Sequence, residues 1–449
     1  MSQEQNFGLS EKAKANLLAK MRGQAAPKIK HERSLEEQIS PDLLRFDTLP
    51  CYTQLKVQQA VAAKLGFPDP YYACHSGLSQ AHATILGKTY LNFSCYDYLG
   101  LNGDPRLLEA VSNAAKTYGI SASASRLTAG ERPPHHALEA GLAEIYGTED
   151  CLVFVSGHAT NVSTIECLFG PQDVIFYDAL SHNSLILGAQ AAGSARFCYP
   201  SNDTKALRNL LIEHRKQFKR ALIVTEGLFG MDGCVCDLPE LLALKQEFGC
   251  FLMVDEAHSL GVLGEHGFGV SEYFKIKPSQ VDIWMGTLSK TFCGCGGFIA
   301  GSHVLIEILK YFAPGFVYSV GLPPLLAAAS CKALEIMQEE PWRVAKLQAN
   351  SRYMLEEAHK LGLDTGKAQG SAVIPVHVGD SLSCVILAHM LREAQILVLP
   401  IIYPGVEEGK ARLRFFVSAT HTEEQISLAL NKTQQLLPKA RARAADFSG

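Results

Sequence analysis

The sequence predicts an α/β protein whose large domain carries a mostly parallel sheet sheathed by helices, followed by a smaller α+β domain at the C-terminus. Two observations predict it. First, short apolar runs at residues 151–157 (CLVFVSG), 173–178 (DVIFYD), 221–227 (ALIVTEG), 250–259 (CFLMVDEAHS) and 283–290 (IWMGTLSK) alternate with amphipathic stretches such as LEAGLAEIYG and LPELLALKQEFG. Strands apolar on both faces and separated by helices belong to a parallel sheet covered on both sides. Second, after Leu322-Pro323-Pro324 a long helical stretch leads into alternating strands (AVIPVHVG, ILVLPIIYP, ARLRFFVS) and a last helix. Its 449 residues, 47% hydrophobic and 19% charged, suffice for two or three domains.

The segments follow in order. Residues 1–45, rich in Lys, Arg, Ala and Gln, read as a linker or arm with one helical pattern from Ser10 to Arg22 that Gly23 ends. Residues 46–103 are expected to join the small domain, 104–324 to form the large domain and 325–449 the small one. Lys plus Arg number 41 against 45 Asp plus Glu, a net charge of -4, so no global positive field draws the chain to nucleic acid. No run of 18 apolar residues and no signal-peptide core occur, and the expectation is a soluble cytoplasmic chain without a membrane span. The 13 cysteines show no pairing pattern and suit reduced thiols. Two C-x-C pairs, Cys234/Cys236 and Cys293/Cys295, lack the second half of a zinc site, and no metal is expected.

Chemistry concentrates after the apolar runs. Lys290 follows a strand and precedes a loop of small residues, surroundings that lower an amine's pKa and favour a Schiff base. About 35 residues upstream, Asp255 closes another apolar strand, where α/β folds bind ligands and a buried carboxylate needs a cationic partner. A protonated pyridine nitrogen is such a partner, so Asp255 and Lys290 together point to pyridoxal 5'-phosphate. The competing reading of Asp255 as a metal or nucleotide carboxylate lacks a G-x-x-x-x-G-K-[ST] loop. Ser156-Gly157-His158 ends a strand and opens a helix, an anion site for the cofactor phosphate to which Thr287 adds a hydroxyl. His182 lies in the polar turn Asp178-Ala-Leu-Ser-His-Asn-Ser. It reads either as an imidazole stacked on a flat cofactor or as part of a helix start capped by Ser181 or Asn183.

These motifs, in this order, resemble the α-oxoamine synthase family of fold-type I pyridoxal phosphate enzymes over roughly residues 90–437. The resemblance rests on NFSCYDYLGL (92–101), SRLTAGERPPHHALEAGLAEIYG (125–147), TEGLFGMDG (225–233), VDEAHSLGVLGEHGFG (254–269), GTLSK (286–290), YSVGLPP (318–324) and RLRFFVSATHTEEQI (412–426). It implies a homodimer with the active site at the subunit interface. Lys290 carries the cofactor, Asp255 faces the pyridine nitrogen, His258 lies near the ring hydroxyl and His182 stacks on the ring. Ser156, Gly157, His158 and Thr287 surround the phosphate, Glu226 belongs to the cofactor pocket, and Arg414 clamps the amino-acid carboxylate through its planar fork. Arg412, its neighbour, is the candidate for a surface ion pair.

Departures from the family pattern sharpen the expectation. Tyr96 and Ser259 resemble the serine palmitoyltransferase branch and not the biotin-pathway members, so serine is favoured over alanine and glycine as substrate. Gly230 replaces the usual serine of the TEGLFGMDG segment. Val320-Gly321 replaces a Thr-Ser, leaving Ser319 as donor to the neighbouring subunit's phosphate. Pro404-Gly405-Val406-Glu407 is an altered thioester-entrance loop. The arm sequence LSEKAKANLLAKMRGQAA resembles segments joining domains of modular polyketide and peptide synthases. Arm and loop together favour an acyl-carrier-bound donor over acyl-CoA. The expected reaction condenses a small amino acid with an acyl thioester, releasing carbon dioxide and thiol. An aminotransferase, or a non-catalytic assembly-line partner, is the alternative.

Overall fold

A computed structural model of the chain describes residues 41–66 and 71–448. The helical pattern at Ser10–Arg22 and the synthase-like arm segment lie outside these residues. The chain divides into two units between Asp69 and Pro70, beyond residue 45, where the sequence places the end of the arm. In the first unit, two 3₁₀ turns, Pro41–Leu44 and Phe46–Thr48, precede the helix Pro50–Leu65, which ends at Gly66 with φ 71°.

The second unit is built on a seven-stranded sheet in the order Asp150–Phe154, Gly297–Gly301, Ile283–Thr287, Phe251–Asp255, Ala221–Glu226, Val174–Asp178, Ala195–Tyr199. Gly297–Gly301 runs antiparallel to both neighbours, and the other adjacent pairs are parallel. Every residue of Ala221–Glu226 and Ile283–Thr287 is buried, because helices cover both faces. One core cluster joins Leu152, Ile175, Leu222, Met253 and Ile299 of the sheet to Ile165, Leu185, Ile306 and Leu309 of the helices.

Two smaller sheets serve the C-terminal half. Val373–Gly379, Ala411–Phe416 and Pro400–Ile401 form an antiparallel sheet. Ile396–Leu397 instead adds in parallel to Lys88–Asn92 of the early strands, so residues 75–92 join the C-terminal half. The run ILVLPIIYP, expected as one strand, is therefore divided between two sheets. Pro400 has no N–H to continue a ladder and stands at the start of its own short strand. The helix Pro324–Glu339 packs on Pro105–Tyr118 and Pro133–Ile145, elements of the large domain, although the sequence assigns it to the small one. Among the described residues, no helix is long and apolar enough to cross a membrane.

Candidate active site

The carboxyl ends of the parallel strands open into a cavity of about 1080 Å³. The strand Phe251–Asp255 delivers Asp255, 3% exposed, and Ala221–Glu226 delivers Glu226 beside it. Thr287 ends the strand Ile283–Thr287 and Lys290 follows it, while Arg412 and Arg414 enter from Ala411–Phe416. His182 and His258 lie on the loops after their strands and also line the cavity.

At one end, Ser156 caps the helix Gly157–Leu168, its Oγ accepting from the Ala159 N–H at 3.0 Å. The first N–H groups of a helix have no intrahelical acceptor. Those of Gly157 and His158 thus remain to face an anion. A Cβ on Gly157 would stand 3.0 Å from Thr287 Oγ1, so the missing side chain keeps this cradle open. Thr287 Oγ1 itself bonds Ser289 Oγ at 2.8 Å and the Gly296 carbonyl at 3.0 Å.

Asp255 is fixed at both oxygens. Oδ1 accepts from the Ala257 N–H at 2.9 Å and Oδ2 from Asn161 Nδ2 at 2.9 Å. Burial lowers the Lys290 amine to about 8, Asp255 and Glu226 pulling the other way. Burial, then Asp255, pushes Glu226 up to about 8. Its Oε1 accepts from the His182 N–H at 2.7 Å and its Oε2 from the Gly230 N–H at 3.3 Å. His182 is itself the cap of the helix Asn183–Ala191, its Nδ1 accepting from the Ser184 N–H at 3.3 Å. Neither Ser181 nor Asn183 takes that role, because the His182 backbone is the extended one at the helix boundary.

His258 receives the Tyr98 hydroxyl at Nδ1, 2.8 Å away, and its ring lies parallel to Phe416 at 6.2 Å. Burial holds its imidazole well below the ordinary range. Arg414 donates to the Gly230 carbonyl at 3.0 Å and lies over Phe416, while its buried Nε has no partner. A buried guanidinium N–H aimed nowhere in the protein suits a substrate carboxylate.

Four expectations are corrected or narrowed here. Arg412 is no surface residue: it is 5% exposed, lines the cavity and pairs with Asp232. Strand alternation places it on the same face as Arg414 two residues on, the signal that would have found it. Ser259 is fully buried and spends its hydroxyl on Glu256, outside the cavity, so it reads no substrate. Burial pushes Glu256 up to about 7. Tyr96 does not line the cavity, but its ring centroid lies 5.8 Å from Lys290 Nζ and edge-on to Phe416 at 4.8 Å. Ser319 lies outside the cavity between the exposed Tyr318 and Val320. Sequence reasoning missed Asn161, Ser184 and Tyr98. Asn161 is one helical turn after Gly157 and so shares its face, a spacing that marks it.

The residues fit pyridoxal phosphate. An open helix N-terminus suits its phosphate, a doubly fixed carboxylate suits its ring nitrogen, and a desolvated amine suits its aldehyde.

The family model for aminotransferase class I and II matches residues 88–432. The chain is 39% identical over 346 residues to 8-amino-7-oxononanoate synthase of Symbiobacterium thermophilum, covering 77% of this chain and 88% of the relative. Among solved structures, Sphingomonas wittichii serine palmitoyltransferase superposes with a TM-score of 0.83 at 29% identity, covering 88% of this chain and 99% of the other. Serine palmitoyltransferase from S. paucimobilis, with PLP and myriocin bound together, does so at 0.83 and 26% identity, covering 87% and 98%.

Proposed function

The chain belongs to the aminotransferase class I and II family and, within it, to the pyridoxal phosphate-dependent α-oxoamine synthases, and we propose that it condenses a small L-amino acid with an acyl thioester. The α-carbon of the amino acid bonds to the acyl carbonyl carbon, the thiol leaves, and the amino-acid carboxyl departs as carbon dioxide, giving an α-amino ketone. One observation carries the reading: Lys290, Asp255 and the unpartnered Nε of Arg414 belong to one site.

When bound, pyridoxal phosphate supplies an electron sink for the charge left at the amino acid's α-carbon. Ser156, Thr287 and the N–H groups of Gly157 and His158 would hold its phosphate. Asp255 would hold its ring nitrogen and His258 its ring oxygen, with His182, braced by Glu226, beside the ring. Lys290 would carry it at rest. An amine lowered to about 8 is partly unprotonated near neutrality, so Lys290 Nζ takes the proton from the α-carbon and returns it to the product. Arg414 binds the amino-acid carboxylate by a charge-assisted pair. The likeness of YSVGLPP to the family segment supports a homodimer in which Ser319 serves the partner's phosphate.

Serine is the proposed amino acid, now on Tyr96 alone, whose ring centroid lies 5.8 Å from Lys290 Nζ. The curated relatives favour alanine as the second reading. In 8-amino-7-oxononanoate, carbons 8 and 9 are an amine-bearing carbon and a methyl, the skeleton of alanine without its carboxyl. For the acyl donor we propose a carrier-bound thioester, supported by the altered loop at residues 404–407, which lines the cavity.

Mass analysis of holoenzyme given serine, alanine or glycine with acyl-CoA or acyl-carrier donors tests all of this. Carbon dioxide, free thiol and an α-amino ketone are expected, most from serine. A keto acid with no thiol release would identify an aminotransferase and overturn the reading.

A further inference from the structure

Between Asp255 and His182, on the wall of the cavity, runs a buried chain of polar side chains to which the reaction gives no step. Asn161 and Ser184 are each 1% exposed. The Asn161 Nδ2 group donates both to Asp255 Oδ2 at 2.9 Å and to Ser184 Oγ at 2.9 Å. Ser184 Oγ in turn lies 2.7 Å from His182 Nδ1, and the Ser184 backbone N–H approaches the same nitrogen at 3.3 Å.

The directions along this chain follow from the chemistry of each group. A carboxylate only accepts, so Asn161 must present its amide nitrogen to Asp255, and its second N–H then falls on Ser184 Oγ. The reversed amide would set its oxygen against the carboxylate. With its oxygen accepting from Asn161, Ser184 has one hydrogen to give, and among the described residues the acceptor in reach is His182 Nδ1. That nitrogen already faces the Ser184 backbone N–H. Two donors converge on it, so it carries no proton.

We propose that Asn161 and Ser184 are positioning residues that fix His182 as the neutral imidazole with its proton on Nε2. The inference deepens the reading of this cavity as the catalytic site and rests on it. Nε2 has no protein partner among the described residues, so the ring offers the site a hydrogen-bond donor and no positive charge. A cation there would compete with Arg414 for the amino-acid carboxylate and would disfavour the protonated form of Lys290 that must hold the abstracted proton. A neutral N–H orients the substrate without either cost. Burial keeps the imidazole below its ordinary range against the pull of Asp255, in keeping with a neutral ring. The relay also ties the ring to the carboxylate: the Asn161 amide holds Asp255 directly and His182 through Ser184.

The test is nitrogen NMR of holoenzyme labelled at histidine, with His182→Asn used only to assign the resonance. At neutral pH the wild type should show a protonated Nε2 and an unprotonated Nδ1 at His182. Ser184→Ala and Asn161→Ala should bring the form protonated on Nδ1, or the imidazolium, from undetectable to measurable. A wild-type His182 protonated on Nδ1, or variants with an unchanged tautomer, would overturn the proposal. If a variant fails to fold, the wild-type spectrum decides alone. The readout is independent of turnover. An enzyme that makes the ketone with Nδ1 protonated refutes the relay only, and one with the expected tautomer but no condensation product refutes the function only.

Discussion

Gly230 stands where the family resemblance implies a serine, and restoring that serine should damage the protein. A Cβ at Gly230 would lie 2.2 Å from His258 Nε2 and 2.4 Å from its Cδ2. Ordinary contacts are about 3.5–4 Å, so the ring must retreat by more than about 1 Å. That movement breaks the 2.8 Å bond from Tyr98 and the parallel contact with Phe416. Overpacking costs about 1–3 kcal/mol, and stranding the buried Tyr98 hydroxyl about 1–3 more. Relief elsewhere offsets part, leaving about 2–4 kcal/mol for Gly230→Ser. Gly230→Ala should lose as much, because the clash belongs to the β-carbon. The assay is thermal unfolding of the apoenzyme together with a visible titration of cofactor. Both variants should melt lower and bind cofactor more weakly. Tyr98→Phe, which frees His258 to swing, should make the Gly230 substitutions cheaper in a double-mutant cycle. A serine variant with unchanged melting and tighter cofactor binding would refute the reasoning.

Other substitutions read out separate parts of the site. Lys290→Ala should abolish the visible absorption of lysine-linked cofactor, and a borohydride-reducible adduct at another lysine would displace the assignment. Arg414→Ala should weaken amino-acid binding by about 1.5–3 kcal/mol, roughly 10- to 150-fold, with cofactor binding little changed; equal losses in both titrations would sink the clamp. Arg412→Gln should destabilise the fold by about 1–3 kcal/mol, because it leaves the half-buried Asp232 carboxylate unpaired, whereas a surface pair would cost about 0–1 kcal/mol; denaturant unfolding separates the two. Glu226, raised from 4.5 to about 8, binds more protons folded than unfolded, so its carboxyl lowers stability progressively from pH 4.5 to 8. In Glu226→Gln apoenzyme the stability-against-pH curve should flatten in that window, and a curve parallel to wild type would show that Glu226 is ionised throughout.

The sheet and the Lys290–Asp255 pair were legible because both depend on short-range pattern. A strand buried on two faces is a continuous apolar run, and a charged residue at its end stands out against it. What stayed hidden depends on partners distant in sequence. Ser259 resembled the serine-using branch, but its hydroxyl is taken by Glu256, a choice set by how the turn after Asp255 folds back. Arg412 looked like a surface charge because Asp232, its partner, is 180 residues away. Asn161 lay inside a helix pattern in which an amide reads as neutral, and only the approach of Asp255 and Ser184 gives it a task. The division of ILVLPIIYP could be traced to Pro400, but which sheets receive the halves is a tertiary outcome.

Arg412 and Arg414 show how one strand can divide two tasks that sequence alone treats as interchangeable. Both point from Ala411–Phe416 toward the turn Gly230-Met231-Asp232. Arg412 is neutralised there by Asp232, whereas Arg414 reaches only a carbonyl and a thioether, the Gly230 oxygen and Met231 Sδ. The first therefore seats the turn, and the second keeps its charge for a carboxylate from outside. The same turn supplies the glycine against which His258 packs and the N–H that Glu226 accepts. A shift at Asp232 must then move the carboxylate clamp, the His258 ring and the brace on His182 together. All three hang on one turn, whose tightest position, Gly230, has no room for a β-carbon because the His258 ring fills that space.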